Sequence, residues 1–168
     1  EYKKLGYEMA KGADLLLVGL KDESHEGGHL VSNSEFSGVF DTDLRECSKS
    51  VLISCTWVKI SRVRWLKDAL RDAVNRGVAV SVIIKQPSAQ GTEWHAVLGI
   101  LKDAGCSVEV ITDGAVLDYA VFDDTLVWYG TISALAFARK GDCALRFASR
   151  EVAATLLKAQ ETGTALSL

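Results

Sequence analysis

Hydrophobic positions are irregular at the start of the chain and become periodic from Ser34 onward. Phe36, Val39, Phe40, Leu44 and Cys47 recur at three- and four-residue steps, the spacing of one helix face, and Ser34 stands where a cap belongs. Val51–Cys55 (VLISC) is a continuous apolar run that suits a strand buried on both faces. Over residues 61–76, Leu66, Ala69, Leu70, Ala73 and Val74 mark a second helix, stopped by Gly77. Val78–Ile84 predicts a second strand. Residues 93–104 predict a helix with Trp94, Val97, Leu98 and Leu101 on one side and Gly105 at its end, and Ser107–Ile111 a third strand. Strand, helix, strand, helix, strand is the rhythm of a parallel sheet with covering helices.

The rhythm then changes. Leu117–Phe122 and Leu126–Tyr129 read as strands joined by a tight turn at Asp123-Asp124-Thr125. Cys143–Phe147 follows as a further strand, and Ser149 caps a last helix from Arg150 to about Gln160. The expectation is an α/β domain whose mixed, largely parallel β-sheet is flanked by helices on both faces. Ahead of it, residues 1–20 suit an amphipathic helix running into a short strand, and residues 21–33 are polar and glycine-containing, as in a linker. The boundary is therefore set between an N-terminal helix and linker segment, residues 1–33, and the domain, residues 34–168.

Composition narrows the picture only a little. The 168 residues, 48% hydrophobic and 24% charged with one proline, are ordinary for one folded domain. A net charge of -3 gives no global field for nucleic acid, so such contact needs a local patch. Cys47, Cys55, Cys106 and Cys143 form no C-x-x-C pair and fall in apolar surroundings, which points to free thiols in a reducing, cytoplasmic compartment. No apolar run reaches membrane-spanning length, and no membrane partner is expected. The first residue is Glu1 rather than Met, so the rest of a longer parent chain is expected as a partner.

Between Val116 and Ser133 the chain resembles the signature of the phospholipase D superfamily: H-x-K, four residues, Asp, six residues, then Gly-[Ser/Thr]-x-Asn. Asp123 and Gly130 hold the six-residue spacing, Thr131 follows as the hydroxyl residue, and a strand, an acidic turn and a strand surround them. The preceding strand, helix, Arg76-Gly77-Val78 and strand are similar to the same family, so the resemblance covers Ser34 to about Leu157. It is nearest to the phospholipase-D-like modules at the C-termini of bacterial helicase-like ATPases, where a tryptophan precedes the Gly-Ser run and an acid and an arginine follow it. Here those positions read Trp128, Asp142 and Arg146.

In active members the resemblance implies a nucleophilic histidine, with lysine and asparagine holding the phosphate oxygens. On this register the histidine position is Val116, the lysine position Asp118 and the asparagine position Ser133. Valine cannot attack phosphorus. At ~4 Å and an effective dielectric of about 20, exchanging lysine for aspartate turns roughly 4 kcal/mol of attraction into repulsion. No H-x-K occurs elsewhere. His95 falls in a predicted surface helix, and His25 and His29, four apart, are interrupted by Gly27-Gly28. No catalytic residue, metal or cofactor is therefore expected. Asp123 and Gly130 have plain structural uses, as turn residue and as a residue of special backbone freedom. Arg146 is expected to pair with Asp118 across the vacated site.

Lys59, Arg62 and Arg64, with Lys67 and Arg71 behind them and Trp57 and Trp65 between, follow the first strand at the sheet edge where α/β ligands bind. Cations with aromatics can hold a nucleic-acid backbone and its bases. A solvated helix face, with Asp68 and Asp72 interleaved, is the plainer reading. Three functions follow. The first is a catalytically degenerate module for dimerisation or nucleic-acid placement in a larger helicase-like ATPase. The second is an active phosphodiesterase or nuclease, and the third a purely structural domain without ligand.

Overall fold

A computed structural model describes residues 28–88 and 91–162. The helix and strand expected over residues 1–20 lie outside the described residues. The described elements, in chain order, are β1 (His29–Ser32), α1 (Phe36–Glu46), β2 (Ser50–Cys55), α2 (Ile60–Asn75), β3 (Ala79–Lys85), α3 (Thr92–Asp103), β4 (Ser107–Ile111), β5 (Tyr119–Phe122), β6 (Leu126–Gly130), β7 (Cys143–Ala148) and α4 (Arg150–Thr162). No helix among the described residues is long and apolar enough to cross a membrane.

The strands form one sheet in the order β1-β7-β6-β5-β2-β3-β4. Only β2/β3 and β3/β4 are parallel, whereas β1/β7, β7/β6, β6/β5 and β5/β2 are antiparallel. The sheet is mixed as expected but mostly antiparallel, which corrects the expectation of a largely parallel one. The physical reason is connection length. Two helical crossovers build the parallel part, whereas the short turn after β5 can return only an antiparallel neighbour. A second correction concerns β1. His29–Ser32 stood in the expected linker, yet it pairs with β7, His29 opposite Arg146 and Ser32 opposite Cys143.

Strand alternation splits the core in two. Val51, Ile53, Cys55, Val80, Val82, Ile84, Ala120, Phe122 and Trp128 face α1, α2 and α3. Leu52, Ile83, Val121, Val127 and Phe147 face Ala153 and Leu156 of α4. Both sheet faces are thus covered. Under α1, Phe36, Phe40, Phe122 and Trp128 form an aromatic cluster with centroids 5.1–5.6 Å apart, close to edge-on for three of the four pairs.

Turn chemistry accounts for the connections. Gly77 and Gly105 take φ of 89° and 91° after α2 and α3, as their helix-stop positions require. Asp123 and Asp124 take φ of 53° and 56° in the β5–β6 turn, a conformation aspartate tolerates. Ser149 caps α4 by accepting the Val152 amide at 3.2 Å. Ser34 does not cap α1. That helix begins after Glu35, whose carboxylate folds back onto the Ser32 amide and hydroxyl instead.

Candidate functional site

Because β5 runs antiparallel to β2 and β6 antiparallel to β5, the carboxyl end of β2, the start of β5 and the end of β6 share one sheet edge, with Ser54, Tyr119 and Tyr129 in line. That edge carries Thr56 and Trp57 after β2, Asp118 before β5, and residues 131–142 after β6. Thr56 donates its backbone amide at 2.9 Å and its hydroxyl at 2.8 Å to the Asp118 carboxylate. Ser133 donates its hydroxyl to the same carboxylate in a short hydrogen bond, and its Oγ accepts the Trp57 amide at 3.2 Å. Asp118 and Ser133, expected at the lysine and asparagine positions of the resemblance, thus meet. Among the described residues the donors to the Asp118 carboxylate are neutral: one amide and two hydroxyls.

His25 lies outside the described residues, and among the described ones no histidine stands beside Asp118. Val116 is half-buried in the loop leading to β5, His29 is exposed on the edge strand β1, and His95 is exposed on α3. Cys55 is the sulfur nearest in sequence to Thr56. Complete burial pushes its thiol up to about 12, against weaker lowering by the backbone of residues 134 and 135, so it stays protonated. The cavity behind Asp118, lined by Phe36, Phe40, Trp128, Tyr129 and Ile132 among others, holds about 10 Å³, room for about one water. Among the described residues no cluster of His, Cys, Asp or Glu could hold a metal ion.

The other motif positions are structural. Asp123 lies at the far end of β5, about 16 Å along the chain from Asp118 at the usual strand rise. Its carboxylate accepts the amides of Ser48, Lys49 and Ser50 at 2.7–3.2 Å. Partial burial alone would raise its pKa, but these bonds hold it below the usual carboxylate range. Lys49 Nζ pairs with the neighbouring Asp124. Gly130 was expected to supply backbone freedom, but among the described glycines it is not one with positive φ. It is small because β7 crosses it: a Cβ there would lie 2.7 Å from Ala144 Cα and closer still to the Cys143 carbonyl. Thr131 closes the following loop, its amide donating to Cys143 O at 3.0 Å and its hydroxyl to Asp142 at 3.2 Å.

Two arginines stand differently from expectation. Arg146 donates Nε and Nη2 to Asp43 of α1 at 2.8 and 2.7 Å, in place of the expected pair with Asp118. The register explains this: Arg146 stands opposite Trp128, which stands opposite Ala120, so it lies two strands from β5 and inside the edge that holds Asp118. Trp128 Nε1 donates to the same Asp43 at 2.7 Å. Arg62, expected on a nucleic-acid surface beside Lys59 and Arg64, is 0% exposed. It donates twice to Asp41, at 2.6 and 3.2 Å, and once to Ala134 O. Lys59 and Arg64 are exposed as expected.

Asp41 and Asp43 escaped the sequence reading, though a signal existed. Asp43 is seven residues after Phe36 and three after Phe40, on the apolar stripe. Arg62 likewise precedes Leu66, Ala69, Leu70 and Ala73 by four, seven, eight and eleven residues. A charged residue placed on a core stripe calls for a countercharge, which Arg146 supplies to Asp43 and Asp41 supplies to Arg62.

No family model and no curated protein matches the sequence. Comparison with solved structures does find similar folds. A phospholipase D family member, Nuc from Salmonella typhimurium, superposes with a TM-score of 0.65 at 14% identity, over 80% of this chain and 91% of that one. NucT from Helicobacter pylori gives 0.66 at 14%, over 80% and 93%. TrmBL2, an archaeal chromatin protein described with a novel mode of DNA binding, gives 0.57 at 14%, over 94% and 60%. The chain has a phospholipase D-like fold.

Proposed function

We propose that this chain is a catalytically silent phospholipase D-like domain, serving a larger helicase-like ATPase as a nucleic-acid-associated and dimerising module. The observation that carries the proposal is the state of the Asp118 carboxylate. It stands at the phosphate-ligand position of the resemblance, bonded to Thr56 and Ser133, with Val116 at the nucleophile position. A negative group without a nucleophile repels a phosphate and cannot attack it. The nucleic-acid part draws on the exposed cations Lys59 and Arg64 at this edge, and on the DNA binding stated for TrmBL2.

The 168-residue chain should show no turnover of bis(4-nitrophenyl) phosphate, plasmid DNA or RNA above a buffer blank. Turnover that disappears in Asp118→Ala or Ser133→Ala would overturn the proposal and restore the phosphodiesterase reading. Sedimentation across a concentration series tests the dimer, which a monomer at every concentration would remove.

A further inference from the structure

Trp57 follows Thr56 directly and is 49% exposed, a large aromatic ring left half in solvent at the edge just described. Two cations lie against it: Lys59 Nζ at 5.1 Å and Arg139 Cζ at 5.9 Å from the ring centroid. Lys59 comes from the segment after β2, Arg139 from the loop between β6 and β7. Both loops are held in place. The Thr56 amide is bonded to Asp118, the Trp57 amide to Ser133 and the Lys59 amide to Leu135 O at 2.9 Å. Asp142 accepts the Arg139 amide at 2.8 Å and donates its own amide to Arg139 O at 3.0 Å, which fixes the turn that carries the guanidinium. Phe137, in the same loop, is also half-exposed.

From this arrangement we infer that the two loops form a stacking platform for single-stranded nucleic acid, centred on Trp57, with Lys59 and Arg139 as phosphate ligands. The inference deepens the nucleic-acid reading above and rests on it. Flexible cations over an exposed ring are weakly held. A base that stacks on the ring displaces them sideways, where the phosphates flanking that base take them up. Arg64 and Lys140, both exposed, extend the positive charge, while Asp142 is already engaged by Thr131 and Arg139. Four exposed cations, Lys59, Arg64, Arg139 and Lys140, thus stand against Asp118 at this edge, a local positive excess on a chain of net charge -3 and the charge complement of a phosphate backbone. A duplex keeps its bases stacked inside and offers Trp57 no ring face, so the fit is to a single strand. Asp118 and Ser133 act here as positioning residues, since they accept the amides of Thr56 and Trp57.

The test is fluorescence anisotropy of a labelled dT oligonucleotide of about 12 nucleotides with the 168-residue chain at low salt. Trp57→Ala should weaken binding about tenfold, the loss of one stacked base. Trp57→Phe should recover part of that affinity, which separates stacking from a folding defect. Lys59→Gln with Arg139→Gln should lower the slope of log affinity against log salt by about 1.4, roughly 0.7 per phosphate contact on a single strand. Asp118→Ala should weaken binding while Asp118→Asn, which keeps an acceptor for Thr56, retains it. Binding that Trp57→Ala leaves unchanged would overturn the platform while leaving a nucleic-acid module intact. A duplex of the same length that binds as tightly, and loses as much on Trp57→Ala, would overturn the assignment to single strands. Absence of binding to any oligonucleotide would overturn both platform and module, as would capture by phosphatidylserine vesicles alone.

Discussion

The aspartates of α1 and those flanking β5 solve the same problem by different means. Asp41 and Asp43 are buried, and each is met by an arginine and a tryptophan: Arg62 and Trp65 for the first, Arg146 and Trp128 for the second. Asp118 and Asp123 are only half-buried, and they accept chiefly amides and hydroxyls. Burial decides between the two. An ionised carboxylate taken fully out of water needs a countercharge, whereas one at a sheet edge keeps enough solvent to be satisfied by neutral donors. The α1 side is electrically closed, and the carboxylate without an arginine partner stays at the edge that carries Thr56 and Ser133.

The largest effect should come from breaking the closed side. Arg62→Ala strands Asp41 in the core with Trp65 Nε1 and should cost about 3–5 kcal/mol in urea denaturation, whereas Arg62→Met combined with Asp41→Leu should recover most of that loss. A single substitution costing no more than a surface change would mean that Asp41 is not a buried ion. Arg146, one-third exposed at its side chain, should cost less on the same change.

The next effect belongs to the turn. Asp123→Ala removes the acceptor of three amides and leaves alanine at φ 53°, so about 2 kcal/mol of stability should be lost. The pH dependence has a definite sign. The folded Asp123 carboxyl sits below its ordinary value of 3.8, so its ionisation stabilises the fold at neutral pH, and that contribution fades as pH falls through the depressed pKa. Thermal melts should show wild type ahead of Asp123→Asn at pH 7 and the gap closing below about pH 3.8. A gap that widens in acid would reverse the assignment.

The smallest change in stability is expected at Asp118→Asn, under about 1 kcal/mol, because the amide oxygen still accepts from Thr56 and the position is partly solvated. The same substitution removes the carboxylate charge and keeps the acceptor for Thr56, so it sharpens the contrast with α1: little loss of stability, and no loss of oligonucleotide affinity. A loss as large as that for Arg62→Ala would place Asp118 among the buried ions instead.

Local pattern alone determined most of the elements. Apolar stripes marked the helices, continuous runs marked β2 and β3, and the Asp-Asp-Thr turn between two short strands joined β5 to β6 within a residue or two. The approach of Asp118 and Ser133 also had a basis in the sequence, because a fixed spacing between two adjacent strands carries both to one edge. Tertiary structure decided the rest. The four residues His29–Ser32, with only Leu30 and Val31 apolar, become a strand because β7 offers a free edge, and so short a run does not by itself record that pairing. Arg62 and Arg64 differ by two positions, yet the helix turns one into the core and the other into solvent, and only the arrival of Asp41 makes the first tolerable. Arg146 chose Asp43 over Asp118 because strand order, which local sequence does not encode, put α1 nearer than β5. Arg139 reaches Trp57 for the same reason: the two lie 82 residues apart and meet only when the sheet brings their loops to one edge.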